Sequence, residues 1–234
     1  RSTMSDHSKV PVTLLPKHRF VFLTLPHYTM IALASAIDAL RMANRVSKRE
    51  RYEWTLATMD GAPAVASNGL SMQPTVALDA IGPANIVFVV GGVHVEHATT
   101  VQVLGALRGL AQRHVPLGSL CTGGYALAKA GLLDKYRAVI HWENMTALRE
   151  EFPRVVFSDQ LFVIDRDRYT CTGGVAPLDL MLHIIRQHQG RDIAPLISEQ
   201  FILERIRSDQ DRQHIPLQAR VGLFHENLIE AAAL

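Results

Sequence analysis

The sequence predicts an α/β fold in which a mainly parallel sheet is covered by helices on both faces. Three observations predict it. Residues 20–25 (FVFLTL) and 86–90 (IVFVV) are nearly uninterrupted apolar runs, as strands buried on both faces are. Segments of helical spacing alternate with strand-like ones along most of the chain. Distinctive residues also fall where strands end: Gly91-Gly92, Cys121-Thr122 and Cys171-Thr172-Gly173-Gly174. Parallel α/β sheets bind ligands outside the carboxyl ends of their strands.

Residues 4–19 are polar and contain Pro11 and Pro16, which reads as a loose lead-in. The strand 20–25 follows. Met30, Leu33, Ala34, Ile37 and Leu40 then repeat at helical spacing, so residues 29–46 form an amphipathic helix. Its basic end, residues 47–51 (SKRER), suits the negative pole of a helix dipole. Residues 52–58 read as a strand, Asp60-Gly61 as a turn, and Asn68-Gly69 as a tight turn able to close a small hairpin. The strand 86–90 leads to a helix over 99–114. Residues 116–120 are an apolar strand that breaks at Cys121. The Gly123-Gly124 pair lets the backbone turn sharply into a helix, and a second strand ends at His141-Trp142. A short helix over 143–152, a strand at 155–157, and hairpin arms at 161–164 and 169–172 follow. Helices are then expected over 176–188, stopped by Gly190, and over 193–206. The polar stretch 208–215 before Pro216 is the best boundary, and 217–232 is a last amphipathic stretch. The division expected is a lead-in at 1–19, one domain at 20–207, and a linker at 208–234.

The 234 residues are 48% hydrophobic, enough for one sizeable core. A net charge of +2 gives no strong field for nucleic acid or membrane. Two cysteines make no disulfide framework and fit a reducing cytoplasm. No apolar run approaches the ~20 residues of a membrane span. Arg1-Ser2-Thr3 ahead of Met4 reads as a cloning scar.

Cys121 is the focus of the chemistry. A thiol at a helix N-terminus meets free N–H groups and the positive end of the dipole, which lower its pKa. His141 ends the next strand, and a Cys–His pair is the minimum for thiol nucleophilic catalysis. The alternative is a histidine that only hydrogen-bonds at a strand end. Backbone N–H groups at Gly91 and Gly92 would face the same pocket as an oxyanion hole does. Trp142 and Glu143 would offer an aromatic face and a carboxylate to a cationic ligand, unless Trp142 packs in the core. His94, Glu96 and His97 are metal-ligand types, but no second cluster completes a site, and a loop or helix-start surface is the better reading. Cys171 is expected to be structural. Neither a Walker A nor a G-x-G-x-x-G motif occurs, and no cofactor or metal is expected.

The segment CTGGYALAKAGLLDKYRAVIHW resembles the DJ-1/PfpI branch of class I glutamine-amidotransferase-like proteins. More narrowly, it resembles sensor domains at the N-terminus of AraC-type transcriptional regulators. MIALASAIDALRMAN, VASNGL, EEFPRVVFSDQLFVIDRDRYTCTGGVAPLDLMLH and ISEQFILERIRSDQDRQHIPL extend the likeness over nearly all of residues 20–217. The nearest patterns are regulators of glycine betaine, carnitine and arginine catabolism. The resemblance implies a flavodoxin-like three-layer sandwich, a homodimer, a pocket at the Cys121 turn, a small-molecule effector, and a helix-turn-helix DNA-binding domain beyond this chain. In isonitrile-hydratase-like relatives an aspartate follows the first strand; Ala32 stands there here. Protease-like relatives place a histidine after the cysteine, where this chain has Thr122. The lost acid favours a binding pocket over a catalytic one. The alternatives are a Cys121-dependent hydrolase, hydratase or glyoxalase-like enzyme, and a dimerisation module with an empty pocket.

Overall fold

The computed structural model describes residues 16–214. In chain order its strands and helices are β1 (His18–Thr24), α1 (Met30–Ser47), β2 (Tyr52–Thr58), β3 (Val76–Ala77), β4 (Ile86–Val90), α2 (Val95–Ala98), α3 (Val101–Gln112) and β5 (Leu117–Leu120). Then come α4 (Gly124–Lys129), β6 (Arg137–Ala138), α5 (Met145–Glu151), β7 (Val156–Phe157), β8 (Phe162–Asp165), β9 (Arg168–Cys171), α6 (Ala176–Gln189) and α7 (Ile193–Gln200). Seven strands make one sheet in the order β3-β2-β1-β4-β5-β9-β8. Every pairing in it is parallel except β8 with β9.

The apolar runs are explained by burial on both faces. Phe20 and Phe22 of β1 and Phe88 of β4 join the core beneath α1, α6 and α7. Their neighbours Val21, Leu23, Val87 and Val89 join a second core beneath α3, α4 and α5. The pleat sends successive side chains to opposite faces, so a strand covered twice has no polar face to alternate with. On α1 the buried positions include Ala32, Ala36, Ala39 and Ala43, small residues that let the helix lie close to its neighbours. Lys48 then takes a left-handed conformation and ends the helix. The Asn44 side chain accepts from the Arg51 and Tyr52 backbone N–H groups, which sets the start of β2.

Several boundaries differ from expectation. β1 begins at His18, inside the expected lead-in, because His18 N–H donates to the Arg51 carbonyl at 2.8 Å. The strand expected to end at His141 is only Arg137–Ala138, and it pairs with β7 in a separate two-stranded sheet. The edge of β5 that it would need is occupied by β9. His141 therefore arrives on an extended loop, tied by the Val139 N–H to the buried Thr170 hydroxyl oxygen at 2.9 Å.

The helix expected over 193–206 stops at Gln200. Ile202 is left-handed (φ 56), Leu203 N–H bonds back to Ser198 O, and Ile202 N–H to Glu199 O. That is a Schellman cap built without glycine. Residues 208–214, expected to begin a linker, are bound to the domain instead. Leu161 N–H donates to Asp211 O at 3.1 Å, Gln213 N–H to Asp159 O at 2.8 Å, and Arg212 pairs with Asp159 at 2.9 Å. The expected amphipathic stretch 217–232 lies outside the described residues.

Candidate functional site

β4, β5 and β9 lie side by side, so their three unusual C-terminal turns meet in one place. Cys121 is the hinge of the middle turn and holds a left-handed backbone (φ 58). Its N–H donates to Thr172 O of the neighbouring turn at 3.2 Å, and Gly123 N–H closes the elbow on Leu120 O at 3.0 Å. A Cβ at Gly123 would overlap the Val89 carbonyl, so only glycine permits this approach. The β4 turn is fixed by the Thr122 hydroxyl, which donates to Gly92 O at 2.7 Å. Both CTGG segments prove to be strand-to-helix turns, one between β5 and α4 and the other between β9 and α6.

The sulfur of Cys121 accepts a hydrogen bond from the Thr29 hydroxyl at 3.3 Å. Burial raises its pKa; the Thr29 hydroxyl and the Thr122 backbone N–H oppose that rise, and the Glu143 carboxylate adds to it. This direction is opposite to the depressed thiol pKa expected at a helix N-terminus. The helix that follows is only six residues long, and burial disfavours the charged thiolate. Ala32, which stands where the resemblance to isonitrile-hydratase-like relatives would put an aspartate, is fully buried and does not line the cavity. Cys171 is completely buried, and burial pushes its thiol well up.

His141 stands across a narrow gap from Cys121. The point where a Gly173 Cβ would sit is 3.0 Å from the Cys121 sulfur and 3.2 Å from His141 Cδ2. Glycine at 173 thus keeps the space between thiol and imidazole open. No hydrogen bond joins the two among the described residues. Instead, His141 Nδ1 accepts from Glu143 N–H at 3.5 Å and lies 4.0 Å from the Glu143 carboxylate. Burial lowers the His141 pKa, and Glu143 partly opposes that.

These groups open into a cavity of about 450 Å³. Of the expected ligand-binding residues, Gly92, Cys121, Thr122, His141 and Glu143 line it. Gly91 does not: its N–H is taken by Leu120 O and its carbonyl by Thr29 N–H, so it cannot serve as an oxyanion donor. Trp142 does not line it either, and its ring packs beside the His141 imidazole, with centroids 5.6 Å apart. The lining also includes Thr29, Ile31, Val93, His94, Glu96 and Gly174. Of these, Glu96 changes the chemistry, because the wall now carries two carboxylates and, among the described residues, no lysine or arginine. His94 is left-handed (φ 57) and precedes α2, which brings Glu96 to the rim. The sequence signal for this was that His94 and Glu96 lie two and four residues after Gly92. No three His, Cys, Asp or Glu side chains gather to hold a metal ion among the described residues. Nor is any described helix long and apolar enough to cross a membrane.

Residues 18–187 match the model of the DJ-1/PfpI family. The chain is 45% identical over 213 residues to the HTH-type transcriptional regulator GbdR of Pseudomonas aeruginosa, covering 91% of this chain and 58% of that protein. It is 40% identical over 211 residues to the HTH-type transcriptional regulator CdhR of the same species, covering 90% and 62%. The chain thus spans about three fifths of the length of these two relatives. A crystal structure of an AraC family transcriptional regulator from Pseudomonas putida superposes with a TM-score of 0.71 at 27% identity, over 79% of this chain and 99% of that one. The parallel sheet, the left-handed cysteine elbow and these likenesses agree: the chain belongs to the DJ-1/PfpI family.

Proposed function

We propose that this chain is the effector-binding domain of an AraC-type transcriptional regulator acting in the cytoplasm, and that its cavity takes a small cationic metabolite such as a betaine, carnitine or arginine. One observation carries the reading: Glu96 and Glu143 line the cavity, with no cationic side chain in the described lining. Carboxylates of one sign on a concave wall concentrate a counter-charged ligand. The ligand's own carboxylate would meet the backbone N–H groups of Gly92 and Thr122, beside the sulfur. A buried thiol with a raised pKa and a hydroxyl partner is poorly suited to nucleophilic attack, so occupancy rather than turnover is the output. The relatives named as regulators support the same reading. DNA would be reached through a helix-turn-helix domain outside this chain, in a homodimer.

Isothermal titration with glycine betaine, carnitine, choline, arginine and lysine tests the proposal. At least one should give a saturable isotherm. Glu143→Gln and Glu96→Gln should each weaken it by about two- to fivefold, as exposed charge pairs do, and the loss should shrink as salt rises. Flat heats across the whole panel, or binding indifferent to both substitutions, would overturn it.

A further inference from the structure

We infer that Gln213 is a positioning residue that couples the cavity to the chain beyond residue 214. This deepens the reading of the cavity as an effector site and rests on it. Gln213 lies in the polar stretch that follows the domain's last helix, yet it is 6% exposed. Its Nε2 donates to the Ile140 carbonyl at 3.0 Å and to the Gln160 carbonyl at 3.3 Å. Ile140 directly precedes His141, which starts the 3₁₀ turn Trp142–Asn144 that carries Glu143. The cavity wall and the exit of the chain therefore share one hydrogen-bonded side chain.

A second tie runs in parallel. Arg207 gives its backbone N–H to Asp179 at 2.7 Å and its Nε to the same carboxylate at 2.9 Å. Asp179 is buried in the first turn of α6, just after Gly173 and the lining residue Gly174. Residues 207–213 thus form a strap fastened at both ends to segments that build the cavity.

The docked strap carries one uncompensated cost. The Oε1 of Gln213 is buried and has no hydrogen-bond partner among the described residues, so docking leaves a desolvated acceptor uncompensated. Undocking the strap would return that acceptor to water, which offsets part of the loss of the bonds that hold it. A cation drawn to Glu143 acts on the turn whose first carbonyl neighbour, Ile140 O, holds Gln213. Such a ligand shifts the balance by its differential affinity for the two states, and the strap must act back on the cavity equally.

Hydrogen exchange on the 234-residue chain tests this without knowledge of the effector. Gln213→Leu removes both donated bonds at similar volume, and Gln213→Glu keeps the length but cannot donate when ionised. Each should speed exchange at least tenfold at the Leu161 amide, which donates to Asp211 of the strap, and at the Glu143 and Met145 amides of the cavity turn. Amides of β1 and β4 should not change. Unchanged exchange at Glu143 and Met145, or acceleration spread equally over β1 and β4, overturns the inference.

A second arm uses glycine betaine, carnitine and arginine as probes. Any that binds by calorimetry should alter Leu161 exchange at least threefold in the parent chain and not in Gln213→Leu. A probe that binds without moving Leu161 defeats the coupling and leaves the effector reading standing. If neither these nor choline and lysine bind, the effector reading falls, and the comparison of variants alone decides the coupling.

Discussion

Cys121 combines two properties that pull apart. Its left-handed backbone and its place at the strand–helix elbow present the sulfur as nucleophile elbows do. Burial, however, favours the neutral thiol, and the nearest partner is the Thr29 hydroxyl rather than a base. The pH dependence of alkylation separates a receptor from an enzyme here. A thiol whose pKa is raised above its ordinary value of 9.0 stays protonated at neutrality and reacts only as pH climbs past that value. Iodoacetamide labelling of Cys121, followed by mass spectrometry, should therefore show a midpoint above 9. Thr29→Val removes a hydrogen bond that favours the thiolate, so the midpoint should move further up and the rate at pH 8 should fall. Cys171, fully buried, should remain unlabelled in the native protein. A midpoint below about 7.5 would restore the thiol-enzyme reading.

At the scale of elements, most of the chain was legible because burial on both faces writes itself as continuous apolar runs, as in β1 and β4. The three strand ends were legible as a site because a parallel sheet gathers its carboxyl ends. Glu96 and Thr29 were not, since their approach to Cys121 depends on the order β1-β4-β5 rather than on spacing. The end of α7 was hidden for a different reason: its cap uses Ile202 where a glycine would have announced it. Ile202 is 91% exposed and left-handed, so it contributes almost no burial to offset the backbone cost. A β-branched residue in that conformation costs about 1–2 kcal/mol, against a smaller entropic penalty for glycine. Ile202→Gly should stabilise the protein by about 1 kcal/mol, a rise of about 2–4 °C in Tm for a chain of this size. Thermal melts of the two proteins check it, and a lower Tm for the glycine variant would show that the cap is not strained.

Taken whole, the molecule separates its chemistry from its anchoring. The carboxyl ends of the strands hold the cavity, while the opposite end of the sheet is closed by an aromatic cluster. There His18 of β1 stacks on His188 of α6 with centroids 4.1 Å apart. Tyr52 Oη of β2 lies 3.3 Å from His188 Nδ1 and accepts from Gln189 Nε2 at 3.2 Å. This cluster joins the first strand to the last long helix, so its protonation bears on the stability of the entire fold. Burial, the facing His18 and the Arg51 guanidinium lower the His188 pKa from 6.5 to about 4. His18 is lowered too, by burial and by Arg51. A depressed histidine pKa means that the unfolded chain takes up protons which the folded chain refuses. Stability is then full above pH 6.5 and falls as pH drops towards 4. With solvent screening of the half-exposed ring discounted, His188 accounts for a loss on the order of 1–2 kcal/mol. Between pH 6.5 and 5 most carboxylates remain ionised, so that window isolates the histidines. Urea midpoints at pH 7.0, 6.0 and 5.0 should decline for the parent chain. His188→Asn keeps a polar side chain beside Tyr52 but cannot titrate, so its decline should be shallower over the same window. Equal slopes for the two proteins would mean that this cluster does not set the acid limit of the fold.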